Sequence, residues 1–149
     1  MSPAPRFRFS LEAVLKVRGI REEQARHELA LSIQRLERSR QALADTEQRA
    51  DHLLADLRSP RIKEWLPEDF QMFKEYLGHL KSAIVGWQER ISEEEAEVEQ
   101  KRLDLKRLHQ ERRLLEQLRA KKYAQYKREI MKVWEKETEA ITLARWSGP

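Results

Sequence analysis

The sequence predicts an all-α protein: a long two-helix antiparallel coiled-coil hairpin whose second helix overhangs the first. Three observations carry this. Prolines stand only at positions 3, 5, 60, 67 and 149, which leaves two long uninterrupted stretches. Those stretches are built from Leu, Ala, Glu, Gln, Arg and Lys, the strong helix formers. Apolar residues recur in them at alternating spacings of three and four, the heptad rhythm of a coiled coil.

The elements follow in chain order. Residues 1–9 form an N-terminal tail. Ser10 is the expected N-cap of a first helix over 10–58, with Ala25, Leu29, Ser32, Leu36, Ser39, Leu43, Thr46, Ala50, Leu53 and Leu57 as its seam. Residues 59–66 form the connector at the hairpin tip. Within it Ser59 before Pro60 reads as a fresh cap with proline in the first helical position, so residues 60 to 65 are expected to make a short helical turn. Pro67, with Glu68 and Asp69 in the first turn, opens a second helix over 67–147 that Gly148 and Pro149 close. Its seam is Phe70, Phe73, Leu77, Leu80, Ile84, Trp87 and Ile91, continuing less cleanly through Val98, Leu105, Leu108 and Leu115. At about 1.5 Å per residue the helices span roughly 70 and 120 Å. A connector this short makes them antiparallel, and small residues in the first seam leave room for aromatics in the second.

Composition excludes much. Of the 149 residues 38% are charged, against about 25% in ordinary domains, and the excess needs solvent-facing surface. A thin core in an elongated molecule answers that; a compact chain of this size would bury about 70% of its surface. The formal net charge of +4 is a weak pointer to acidic partners. With no Cys there is no disulfide, thiolate nucleophile or thiolate metal site. No apolar run is long enough to span a bilayer, and the opening has no hydrophobic signal core, so a cytoplasmic location is expected.

Catalytic patterns are missing as well. No metal-binding His-Glu-x-x-His, phosphate-cradling glycine loop or Gly-x-Ser-x-Gly elbow occurs. His27, His52, His79 and His109 do not meet across the expected hairpin, and the carboxylates are expected on exposed faces where burial cannot shift them. The chain is read as no enzyme, with no catalytic residues, metal or cofactor. Gly19, Gly78 and Gly86 fall inside helices at a cost of about 1 kcal/mol each; Gly78 and Gly86 lie off the seam, where bending or close approach of a partner and plain tolerance are equally open.

Folding about residues 62 to 63 sets Leu11 opposite Leu114, so from about Glu116 the second helix has no helical partner. Yet Tyr123, Tyr126, Ile130, Val133, Trp134, Ile141 and Ala144 keep an apolar stripe there, which a lone helix in water has little reason to hold. Packing on the first ten residues, a contact between copies, or insertion into a partner protein would each explain it. Charge separates too: six acids against Arg90 between Glu89 and Glu99, then twelve basic residues against four acids from Lys101 to Lys132. Arg6, Arg8, Lys16, Arg18 and Arg21 join that basic stretch in the hairpin. Apolar stripe and positive field together favour a docking end.

The opening Phe7-Arg8-Phe9-Ser10-Leu11-Glu12-Ala13-Val14-Leu15-Lys16-Val17-Arg18, then Glu22-Glu23-Gln24-Ala25 and Leu29-Ala30, resembles the start of the FliJ family of the bacterial flagellar type III export apparatus. The pattern Phe73-x-x-Tyr76-x-x-x-Leu80-x-x-Ala83-Ile84, and the run Glu111-Arg112-Arg113-Leu114-Leu115-Glu116 to Arg119 before a basic aromatic tail, resemble the same family across nearly the full length. The resemblance implies a non-enzymatic stalk, similar to the central stalk of rotary ATP synthases. Its end with both termini would insert into the export ATPase ring and promote assembly and turnover, and the hairpin would contact the cytoplasmic domain of the membrane export gate. Export chaperones are further implied partners, in an escort role, and the place implied is peripheral at the cytoplasmic face of the inner membrane.

By position, Tyr76, Leu80, Ala83 and Trp87 would meet the gate, although Leu80 and Trp87 also lie on the seam. Phe7, Phe9, Leu11 and Arg18 with Tyr123, Tyr126, Ile130, Val133 and Trp134 would meet the ATPase. An injectisome stalk is the near alternative. A nucleic-acid-binding arm, with Tyr123 and Tyr126 stacking among Lys121, Lys122, Lys127 and Arg128, and a self-associating coiled coil are the others; nucleic acid is disfavoured because the tyrosines share a stripe with Ile130 and Val133.

Overall fold

A computed structural model describes residues 6–147. Two helices pack against each other in a hairpin: α1 over Glu12–Leu57 and α2 over Pro67–Trp146, joined through a short 3-10 helix over Pro60–Glu64. Pro3, Pro5 and the Gly148-Pro149 stop lie outside the described residues. The chain divides into two compact units, one of residues up to Gln24 with those from Lys106, the other of Ala25–Leu105.

Local chemistry sets the boundaries. The turn before α1 is closed by the Glu12 N–H donating to the Phe9 carbonyl (3.1 Å), and the Leu11 carbonyl accepts the first helical bond, from Leu15 (2.9 Å). Leu11 therefore holds the cap position, one residue later than the expected Ser10, which sits in the turn. Ser59 caps the 3-10 turn as expected, its hydroxyl accepting from the Arg61 N–H at 3.3 Å with Pro60 in the first turn. Asp69 reaches back to accept from the Leu66 N–H at 2.8 Å, satisfying a donor that the start of α2 would otherwise leave open.

In the Ala25–Leu105 unit the core is Leu36, Ile91 and Val98, with Leu29, Ile33 and Leu43 packed around it. Between these stand the small residues Ser32, Ser39, Thr46 and Ala50, all buried. Their hydroxyls are satisfied: Ser32 donates to the Glu28 carbonyl at 3.0 Å, Thr46 to the Ala42 carbonyl at 2.7 Å, and Ser39 to the Glu94 carboxylate at 2.8 Å. The acidic run of α2 is spent within this unit, where Glu95 meets Arg40 at 3.1 Å and Glu97 meets Arg35 at 3.8 Å. At the connector Trp65 packs edge-on against Phe70 and tilts onto Phe73, 5.2 and 5.6 Å between ring centres.

The register departs from expectation. Ser39 stands opposite Glu94 and Glu28 opposite Lys101 in one unit; Glu22 stands opposite His109 and Arg112, and Glu12 opposite Arg119, in the other. These pairings lie four to nine residues further along α2 than a fold about residues 62 to 63 places them. The cause is the heptad itself: a slip of seven residues restores every apolar position to the seam, so apolar spacing alone does not choose between neighbouring registers. Polar partners choose. The slip also moves the overhang. Helical pairing continues past 116 to Arg119, so Leu11 does not face Leu114 and the unpartnered stretch of α2 is shorter than expected.

Candidate functional site

The unit holding the N-terminal segment gathers the residues expected at the ATPase end. Phe7 leaves the irregular stretch before α1 and lays its ring edge-on to Tyr123 at 5.1 Å and tilted to Tyr126 at 5.6 Å; the two tyrosines stack at 6.2 Å. Two cations cover the group, the Arg119 guanidinium 5.5 Å from the Phe7 ring centre and the Lys127 ammonium 4.8 Å from that of Tyr123. Phe9 is buried, and Leu11 is half-buried at the helix start. Arg18 is held by Glu111 at 2.8 Å. Beyond this cluster Ile130 is half-buried, while Val133, Trp134 and Ile141 are about half exposed, as far as the turns of one helix can shield them. Val14 and Val17 line a shallow open groove of about 290 Å³ with Ala13, Arg18 and Arg21.

Sequence reasoning missed a buried polar group in the same unit. Glu22 is 2% exposed, so the expectation of exclusively surface carboxylates fails there. Its Oε2 accepts from Arg112 Nε, and its Oε1 lies 2.8 Å from His109 Nδ1, a contact that needs a proton on that nitrogen. Arg112 also donates to Glu116. The Arg112 hydrogen bond, opposed by burial and reinforced by His109, holds the Glu22 carboxyl at about 2, well below its usual 4.5. Glu22 in return pushes the Arg112 pKa up. The signal was available: counting threes and fours through polar residues runs Leu11, Leu15, Arg18, Glu22, Ala25 without a break.

In the other unit Tyr76, Leu80, Ala83 and Trp87 fall on one side of α2. Tyr76 is 47% exposed and Ala83 partly covered, whereas Leu80 is 6% exposed and turned into the seam. Trp87 is half-buried with the Arg90 guanidinium 5.2 Å from its ring centre. Met72, one turn before Tyr76 and well exposed, extends this apolar surface and was not singled out from the sequence.

Among the described residues no three metal-ligating side chains converge, and no helix is long and apolar enough to cross a membrane. The family model for the flagellar FliJ protein matches residues 7–141, which takes in both surfaces. The chain belongs to the FliJ family. It is therefore a component of the flagellar export apparatus, from a family of non-enzymatic export proteins. No curated protein and no solved structure matches it. Within the FliJ match fall the Phe7–Tyr123–Tyr126 cluster, the Glu22–His109–Arg112 group and the Tyr76–Ala83 surface.

Proposed function

We propose that this chain is the stalk-like partner of the flagellar export ATPase, binding its ring, promoting assembly and turnover, and linking it to the cytoplasmic domain of the membrane export gate. The observation that carries the reading is the apolar stripe of α2 through Ile130, Val133 and Trp134. It runs on where α1 has stopped, with Lys122 and Lys127 on its flanks, in a stretch from Lys121 to Lys132 where five basic residues stand against Glu129. Apolar surface in a mainly basic stretch suits a protein partner that carries acidic groups, with docking that salt weakens. Phe7, Tyr123 and Tyr126 are packed on each other and on cations, which gives nucleic-acid bases little ring face to stack on and favours protein contact.

The roles divide by accessibility. Tyr123, Val133 and Trp134 would touch the ring directly; Phe9, Leu11 and Arg18 would act by fixing the N-terminal segment against α2. For the gate, Tyr76 and Ala83 supply the contact, Trp87 borders it, and Leu80 supports it from beneath. A helix pair within a symmetric ring touches its subunits unequally. Unequal contact biases their conformations, and that is coupling between sites. Export chaperones would dock on the same chain, at the cytoplasmic face of the inner membrane.

The deciding measurement is ATP hydrolysis by the export ATPase of the same organism, with and without this protein, at two salt concentrations. Stimulation that fades with salt is expected. The triple variant Tyr126→Ser, Ile130→Ser, Trp134→Ser should lose it while staying helical by circular dichroism. Full stimulation by that variant would refute the assignment of the stripe.

A further inference from the structure

The face of α2 that packs on α1 does not end where α1 does. At about 100° per residue, Ile130, Val133, Trp134, Glu137 and Ile141 fall within an arc of about 100°. That arc prolongs the line of Leu108, Arg112 and Leu115, on which Arg112 bonds Glu22 of α1. We propose that the overhang of a second copy of this chain takes the place of α1 on this face, antiparallel to the first, across a two-fold axis between Val133 and Trp134.

Two features select this occupant. The first is spacing. Read forward, the stripe runs Tyr123, Tyr126, Ile130, Val133; read backward from its far end it runs Ala144, Ile141, Glu137, Trp134, with matching intervals of three and four. Two identical helices laid antiparallel therefore meet stripe to stripe, with Ile141 level with Tyr126 of the second copy and Val133 level with Trp134, the self-complementary contact a two-fold requires.

The second is charge. Glu129 and Lys136 lie on the same flank of the stripe, and the antiparallel arrangement brings each to the other's counterpart, giving two symmetric ion pairs. Glu137, the one charged residue in the stripe, comes within a turn of Lys127 of the second copy. Basic residues dominate 121–132 and acids dominate 135–139, so antiparallel pairing sets unlike halves together and parallel pairing sets like halves together.

The overlap of residues 123–144 covers about 33 Å, roughly three heptads, near the shortest length that sustains a two-stranded coil. The dimer is accordingly weak and concentration-dependent. Because it covers the stripe assigned above to the ATPase, self-pairing and ring binding exclude each other; that exclusion alone rests on the proposed function.

Sedimentation velocity of the full chain from micromolar to millimolar concentration tests the proposal without any ATPase. The mass is expected to rise from one chain toward two. Glu129→Lys and Lys136→Glu should each weaken association roughly tenfold, and the double variant Glu129→Lys, Lys136→Glu should restore it. Since the chain has no Cys, Val133→Cys should cross-link on oxidation and Ile141→Cys should not. A single-chain mass at every concentration, a double variant no better than the singles, or cross-linking through Ile141→Cys as fast as through Val133→Cys would each overturn it. Unchanged helicity by circular dichroism accompanies every variant. A failed ATPase assay leaves all these readouts standing, so the two readings fail separately.

Discussion

The two units share one heptad rhythm and fill it with different chemistry. In Ala25–Leu105 the buried positions hold Leu36, Ile91 and Val98 with serines, threonine and alanine between. In the unit from the N-terminal segment and Lys106 onward, the most buried residue is Glu22, fastened by Arg112 and His109. An apolar seam stabilises strongly, at about 1.5–3 kcal/mol for each fully buried Leu, Ile or Val, but tolerates a slip by seven. A buried ion pair contributes less net stability once desolvation is counted, yet it tolerates no slip, because an unpaired buried charge is strongly unfavourable. One unit leans on adhesion, with Ser39 and Glu94 as its polar check on register, and the other leans on alignment.

The comparison breaks most visibly at Leu36. Leu36→Ala removes the centre of the apolar cluster and should cost about 3 kcal/mol by denaturant unfolding. A loss below about 1 kcal/mol would mean that the seam repacks freely and that adhesion is not concentrated there.

Acid sharpens it next. Glu22 is held at about 2 in the fold and titrates near 4.5 when unfolded, so across this window the unfolded chain binds more protons. Its stabilising contribution is complete above about 4.5 and is lost as pH falls through 2. Thermal unfolding should show stability dropping over that range, and Glu22→Gln should flatten this part of the slope while lowering stability at neutral pH. An acid slope identical in the two proteins would remove Glu22 from its place as the aligning charge.

The smallest expected effect concerns the helical glycines. A Cβ added at Gly19, Gly78 or Gly86 meets nothing within 4 Å, so close approach within this chain is not their purpose. Gly78→Ala and Gly86→Ala should each raise stability by about 0.5–1 kcal/mol, read as a higher denaturation midpoint. If either variant also weakened binding to the export gate, the open space beside it would be a partner's.

The fold was legible because its punctuation is chemical. Ser59 before Pro60, and Pro67 before Glu68 and Asp69, announce a stop and two starts, and the apolar spacing announces the pairing of helices. Register was not legible from apolar spacing, since Leu29, Leu36 and Leu43 are equivalent under a heptad slip. The information sat in polar residues on the seam, Glu22 with Arg112 and Ser39 with Glu94, which register as interruptions when only apolar residues are counted. The site was half legible for the same reason. Tyr123, Tyr126 and Trp134 stood out as a stripe, but Phe7 could be set against the tyrosines only once the shifted register had carried the N-terminal segment that far along α2. Leu80 fitted the family pattern and the seam alike, and only burial separates the two uses.

The pairs that hold the helices together differ widely in how much chain they enclose. Ser39 and Glu94 are 55 residues apart, whereas Glu12 and Arg119 are 107 apart. Closing a longer loop unaided costs more chain entropy, but closure that begins at the tight turn around Ser59 and Trp65 and proceeds outward meets that cost in small steps. The order of assembly then follows from topology: contacts near the turn can persist without the distant ones, and the distant ones depend on every pair between. The Phe7, Tyr123 and Tyr126 cluster is thus the last part of the hairpin to zip and the first to fray, which puts the surface proposed to meet the ATPase where remodelling disturbs the fewest other bonds.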